Sequence, residues 1–249
     1  MIDAASKHAC AKMKQANRNN LRGNRNAGGT KMEETYVKST NKTIASSLLW
    51  MFFGLLSTGI IAAVTYYTGV FIEVVEAWPM LLVAQVVVAL VFGGLFHKLS
   101  AGVTTFLFFV YSMLTGATFS IIFAAFDLST IGYALFGTAG FFGMLAYMGY
   151  KTERDLSKFG NVLMAALLMA LIVTVVNFII GSSTLDIVLD WVILGIFAGL
   201  TVYDMNKIKV MSEEGYDEEK VAIYGAMQLY LDFINIFLRI LEIVGSRKN

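Results

Sequence analysis

Seven apolar stretches follow one another along the chain, near residues 44–72, 79–96, 103–126, 129–150, 159–181, 186–203 and 221–244. Each comes close to or exceeds the roughly 20 residues that a helix needs to cross a hydrocarbon core. The polar connections are short and leave no room for a second folded domain. Backbone groups in lipid must be satisfied within the protein, and no stretch alternates with period two, so helices are expected rather than a barrel. The pattern predicts an all-α integral membrane protein, a seven-transmembrane-helix bundle in contact with the lipid bilayer. The last stretch is the least apolar, carrying Tyr224, Gln228, Asp232, Asn235, Arg239 and Glu242. A helix so polar is expected to be wrapped by the others.

Charge is distributed unevenly. Residues 1–31 hold seven of the 19 Lys/Arg and one of the 18 Asp/Glu, so the remainder is net −5. That segment has no apolar run with which to bury surface, and residues 1–40 are read as a disordered basic tail preceding a transmembrane domain over 41–249. Nothing in it resembles a signal peptide, and it is either a solvated extension or sequence ahead of a start at Met32. Basic residues also fall in the connections at 97–102, 151–158 and 204–220, whereas 73–78, 127–128 and 181–185 have none. This asymmetry predicts a cytoplasmic N-terminus. Seven crossings would then place Arg247 and Lys248 outside, unless the last helix is re-entrant.

Composition narrows the chemistry. With 57% hydrophobic residues, a mean hydropathy of +0.67 and one Pro, water-soluble enzymes are set aside. A single cysteine, Cys10, supports no intrachain disulfide. Two histidines, His8 and His97, are too few for a three-histidine zinc hydrolase and poorly placed for a serine–histidine protease. The final stretch lacks a lysine for a retinal-type Schiff base. No enzyme activity, cofactor or nucleic-acid partner is therefore expected, and oligomeric state is not set by the sequence.

Two aspartates stand out. Asp232 lies inside the last apolar stretch and Asp204 ends the preceding one. An ionised carboxylate in a bilayer costs several kcal/mol, so such residues are normally paired or placed on an ion or proton path. Asp232, Asn235 and Arg239 recur at i, i+3 and i+7 and share a helix face. Should Asp204 approach it, the two carboxylates cannot comfortably both be charged and titrate as a unit. That meeting requires the sixth helix to run on to about Val210, or the seventh to start late. The competing reading is that Lys207 and Arg239 simply neutralise them. Glu213, Glu214, Asp217, Glu218 and Glu219 read as a solvated loop without the ligand spacing of an EF-hand. Asp127, Asp186 and Asp190 read as hydrated or capping residues at outer helix ends. Gly195 with Gly199, and Ala139 with Gly143, read as small-residue packing pairs.

The run Val202-Tyr203-Asp204-Met205-Asn206-Lys207-Ile208-Lys209, followed by Gln228-Leu229-Tyr230-Leu231-Asp232-Phe233-Ile234-Asn235-Ile236-Phe237, closely resembles the paired C-terminal signatures of the transmembrane Bax inhibitor motif family, which includes the lifeguard proteins and bacterial relatives. The resemblance implies a seven-helix bundle with the C-terminal helix central. It also implies a pH-sensitive calcium leak governed by two aspartates, here Asp204 and Asp232. Relatives carry a basic latch residue after the second helix. Here the stretch reads Phe96-His97-Lys98-Leu99, making Lys98 the substitute and His97 the reserve, while Gln85 stands for an acidic residue of the second helix.

The resulting expectation is a pH-sensitive Ca²⁺ (cation) leak channel integral to a bacterial inner membrane, with Asp204 and Asp232 on the ion path, Lys98, His97 and Arg239 in gating, and Asn235 as a polar partner on the same face. Ca²⁺ is the permeant ion rather than a cofactor. The alternative is a regulatory protein that binds another membrane protein, such as a membrane protease.

Overall fold

The computed structural model describes residues 39–96, 98–154, 156–214 and 216–245. Seven helices follow in order: α1 (Ser39–Tyr67), α2 (Phe71–Leu95), α3 (Ala101–Ala125), α4 (Leu128–Lys151), α5 (Ser157–Ile180), α6 (Ser183–Glu213) and α7 (Glu218–Val244). All seven are long and apolar enough to cross a membrane. The expected basic tail lies outside the described residues, as do Arg247 and Lys248. Residues 43–249 make one compact unit; of residues 1–42, the described four, 39–42, are helical.

Local chemistry sets the helix ends. Ser100, Ser182 and Asp217 are N-caps whose side chains accept from the backbone N–H of Val103, Leu185 and Lys220, satisfying donors that the first turn leaves free. Gly181 ends α5 at φ 72°, a left-handed conformation that glycine adopts without a Cβ penalty. Gly69, at φ 82°, breaks the chain between α1 and α2. The second helix consequently begins at Phe71, earlier than the apolar stretch at 79, and its first two turns carry the exposed Glu73 and Glu76.

The C-terminal helix is central. In its most apolar 18-residue window, 72% of the residues are buried inside the protein, against 6–33% for the other six helices. It packs against α3, α4 and α6, and Gly225 brings it against Ser47 of α1. Tyr230 is fully buried, with its ring edge-on to Phe108 and Tyr111 and its hydroxyl 2.7 Å from Thr58 Oγ1. Thr58 Oγ1 also lies 3.0 Å from the carbonyl oxygens of Gly54 and Ser112. This polar knot fastens α1, α3 and α7 where lipid would offer no hydrogen-bonding partner.

Glycine supplies the close approaches, though not where the small-residue pairs predict. Gly195 and Gly143 have open space where a Cβ would stand, and Ala139 is exposed. Only Gly199 of those four packs tightly, against Leu163. Other tight approaches fall at Gly54 on the ring of Phe108, Gly116 on Thr58 and Ile61, Gly149 on Val202 and Met205, and Gly160 on the ring of Tyr203. The last two seat α6.

Candidate functional site

The sixth helix runs through the expected stopping point. Its 31 residues span about 46 Å at 1.5 Å per residue, well beyond the roughly 30 Å of hydrocarbon. Continuing to Glu213 keeps Asp204 inside a helix flank rather than at its end. The condition for a meeting of Asp204 and Asp232 is therefore met.

Both carboxylates are buried, Asp204 at 5% exposure and Asp232 at 3%. Asp204 stands on α6 and Asp232 on α7, two helices packed against each other. Each also has a neutral partner across the same helix pair: the Gln228 side chain hydrogen-bonds Asp204, and Thr201 hydrogen-bonds Asp232. Thr201 precedes Asp204 by three residues and Gln228 precedes Asp232 by four, so each partner lies one turn from the aspartate of its own helix while bonding that of the other. Oδ2 of Asp232 has no hydrogen-bond partner among the described residues. Thr201 Oγ1 is 2.8 Å from the Phe197 carbonyl oxygen. A hydroxyl carries one proton, so Thr201 cannot donate to Phe197 and to Asp232 at once.

The cation that acts on Asp204 is Lys207. Its ammonium donates to the Tyr224 hydroxyl at 2.7 Å and stands 5.0 Å from the centre of that ring and 5.8 Å from that of Tyr203. Phe96 packs against the Tyr224 ring, with centroids 4.9 Å apart. Lys98 is exposed in the turn after α2, its backbone N–H bonded to the Leu95 carbonyl, and is not brought to the carboxylates in this structure. His97 lies outside the described residues. Gln85 donates to Thr118 Oγ1 at 3.1 Å, joining α2 to α3.

Arg239 is engaged elsewhere. Its guanidinium forms an ion pair with Asp190 of α6, toward the opposite ends of the two helices, and this removes it as the neutraliser of Asp232. Asp190 is thus more than a hydrated helix end. Asn235 donates to the Leu231 carbonyl at 2.8 Å, a bond within its own helix. Nearby, Asn177 ties the α5–α6 turn by donating to Asp186 at 2.6 Å and to the Ser182 carbonyl at 3.1 Å. Among the described residues no three His, Cys, Asp or Glu gather as a metal-holding cluster. The buried pair offers two carboxylates only.

The comparison with protein families bears directly on this seam. The family model described as "Inhibitor of apoptosis-promoting Bax1" (Bax1-I) matches residues 40–249, which include every helix from Thr40 onward and both aspartates. The chain belongs to the Bax1-I family. Among similar proteins, the Inner membrane protein YbhL of Escherichia coli K12 is 39% identical over 208 residues, covering 80% of this chain and 89% of the relative. An uncharacterized protein of Deinococcus radiodurans is 35% identical over 208 residues, covering 82% and 90%. Another, of Borreliella burgdorferi, is 33% identical over 226 residues, covering 87% and 97%. Bax1-I membership agrees with an integral membrane bundle of seven helices.

Proposed function

We propose that this Bax1-I protein is a pH-sensitive cation leak pathway, passing Ca²⁺ above other ions, in which Asp204 and Asp232 line the ion path and sense protons. One observation carries the reading: two carboxylates buried on adjacent helices, one with an oxygen that no donor among the described residues satisfies. Carboxylate oxygens suit a hard divalent cation, and a site with only two of them binds weakly enough to let the ion leave. Proton binding to the pair alters which hydrogen bonds Thr201 and Gln228 make, and so the contact between α6 and α7.

The test is flux through purified protein in liposomes across pH, with Ca²⁺, Na⁺ and K⁺ compared. Ca²⁺ flux that changes with pH supports the reading. Absence of flux at every pH refutes it and favours a regulatory protein that acts on a partner such as a membrane protease.

By its likeness to YbhL, whose name places that relative in the inner membrane, the chain is assigned to a bacterial inner membrane. The Lys/Arg-bearing connections support a cytoplasmic N-terminus. A reporter fused to the N-terminus that is active only outside the cytoplasm overturns this orientation.

Two cations compete for the latch. Lys98 holds the position implied by family resemblance but must swing inward from an exposed turn, whereas Lys207 already acts on Asp204. An ammonium holds a carboxylate less firmly than a guanidinium's bidentate fork, so the closed state is expected to leak. Lys98→Ala should raise flux at the pH where wild type is closed and Lys98→Arg should lower it. If Lys98→Ala is silent while Lys207→Gln raises flux, the latch is Lys207.

A further inference from the structure

A cavity of about 590 Å³ opens between the α4–α5 turn and the C-terminal half of α6, and neither Asp204 nor Asp232 is among its lining residues. Lys207 and Lys209 line it, both half-buried. Aromatic faces hold the two ammonium groups: Lys207 over Tyr224 and Tyr203, and Lys209 with Nζ 5.9 Å from the centre of Tyr150. Among the described residues, neither lysine has a carboxylate within 4 Å. Arg154, exposed, adds a third cation at the rim.

Three carboxylates also line the cavity, Glu153, Glu213 and Glu214, but all three are exposed and remain hydrated. The half-buried lysines are in a different position, because each has given up part of its hydration and has gained ring faces and, for Lys207, one phenol and the field of Asp204 from beyond 4 Å. Neither ammonium therefore has a direct carboxylate partner among the described residues, and both remain able to take an anion. Its location matters too. It sits where α4 and α6 emerge from their apolar spans, and Tyr147, Tyr150, Tyr203 and Tyr216 lie around this end of the bundle, the residue type that collects at a membrane interface. Basic pockets between transmembrane helices at that depth take phosphate headgroups.

We propose that this cavity binds the phosphate of an anionic phospholipid headgroup, with Lys207 and Lys209 as its inner charge partners and Arg154 closing from the rim. This site goes beyond the ion-leak reading and does not depend on it, because it is read by binding rather than by flux. It has a consequence for that reading all the same: the ammonium of Lys207 acts on Asp204, so a phosphate drawing on Lys207 changes the field at the carboxylate pair.

The experiment is thermal melting of the purified full chain in a non-ionic detergent, titrated with dioctanoyl phosphatidylglycerol, dioctanoyl phosphatidylcholine or inorganic phosphate. Phosphatidylglycerol should raise the melting temperature saturably and phosphatidylcholine should not. Lys207→Gln with Lys209→Gln should raise the half-saturating concentration about tenfold or more, since each lysine near a headgroup contributes attraction, and Lys207→Arg with Lys209→Arg should preserve it. An equal, saturable response to inorganic phosphate supports the anion site and makes free phosphate its source. Should the double glutamine variant not fold, Glu213→Gln with Glu214→Gln decides the matter: removing rim carboxylates should tighten phosphatidylglycerol binding, and weaker binding overturns the proposal. So does an equal response to phosphatidylcholine, or a response unchanged in the folded Lys207→Gln, Lys209→Gln variant.

Discussion

Asp232→Asn is expected to remove the pH dependence of Ca²⁺ flux, Asp204→Asn to do the same, and the double variant to be no more severe than the worse single one. The reason lies in how the pair is built. In the proposed reading the two carboxylates act on each other between α6 and α7, so a proton bound at one changes what the other experiences, and the unit titrates together. Thr201 sharpens the case for Asp232. While its single proton goes to the Phe197 carbonyl, 2.8 Å away, its oxygen can only accept from residue 232. Aspartic acid supplies that donor only when protonated, whereas the amide of asparagine supplies it at every pH. Asp232→Asn thus imitates the proton-bound arrangement permanently. At Asp204 the corresponding partner is Gln228, whose amide can donate or accept and can turn to suit an introduced asparagine. Flux measured for wild type, both single variants and the double variant over one pH series completes a double-mutant cycle. Strictly additive effects would show two independent carboxylates and sink the pair.

The fold and the burial of the two aspartates were legible in the sequence to different depths. Seven helices follow from apolar runs, because lipid leaves the backbone no alternative to internal hydrogen bonding. The central place of α7 follows from its polar residues, which lipid excludes. Helix ends were less accessible. The length of α6 beyond residue 203 is set by packing: polar Asn206 donates to the Thr152 carbonyl at 2.9 Å and Ile208 is fully buried, although hydropathy falls there. The aspartates announced themselves by cost, yet their immediate partners did not. Thr201 and Gln228 look ordinary in isolation and become visible only when each is placed one turn from an aspartate and α6 is laid on α7. Arg239 shows the converse. Its spacing from Asp232 is correct for a shared face, but a partner on another helix, Asp190, claims it, and one-dimensional spacing is blind to that competitor. The close glycine contacts were hidden for a similar reason, since a small-xxx-small pattern says that a helix can be approached and not that anything approaches it.

Gly149→Ala is expected to destabilise the protein by about 1–3 kcal/mol, the usual cost of forcing extra atoms into a packed contact, and to displace α6 at the place where it carries Asp204. A Cβ at residue 149 would collide with the backbone carbonyl oxygen of Val202 and stand 2.9 Å from the Cβ of Met205. Neither obstacle can rotate away, because one is main chain and the other is the first atom of its side chain. Relief requires α4 and α6 to separate. Val202 and Met205 bracket Asp204 in sequence, so the displacement is delivered to the segment that sets Asp204 against α7. Gly143→Ala provides the control on the same helix: no atom lies within 4 Å of its Cβ position, and alanine is the better helix former by roughly 1 kcal/mol. Thermal melting of the purified variants in one detergent should therefore lower the transition for Gly149→Ala and leave it unchanged or raised for Gly143→Ala. Flux should follow stability only in part. At a temperature where Gly149→Ala remains folded, its pH profile should still differ from wild type while that of Gly143→Ala matches it. Equal melting for the two variants would mean that the α4–α6 crossing is looser than its backbone contact indicates, and would remove Gly149 as the residue that seats Asp204.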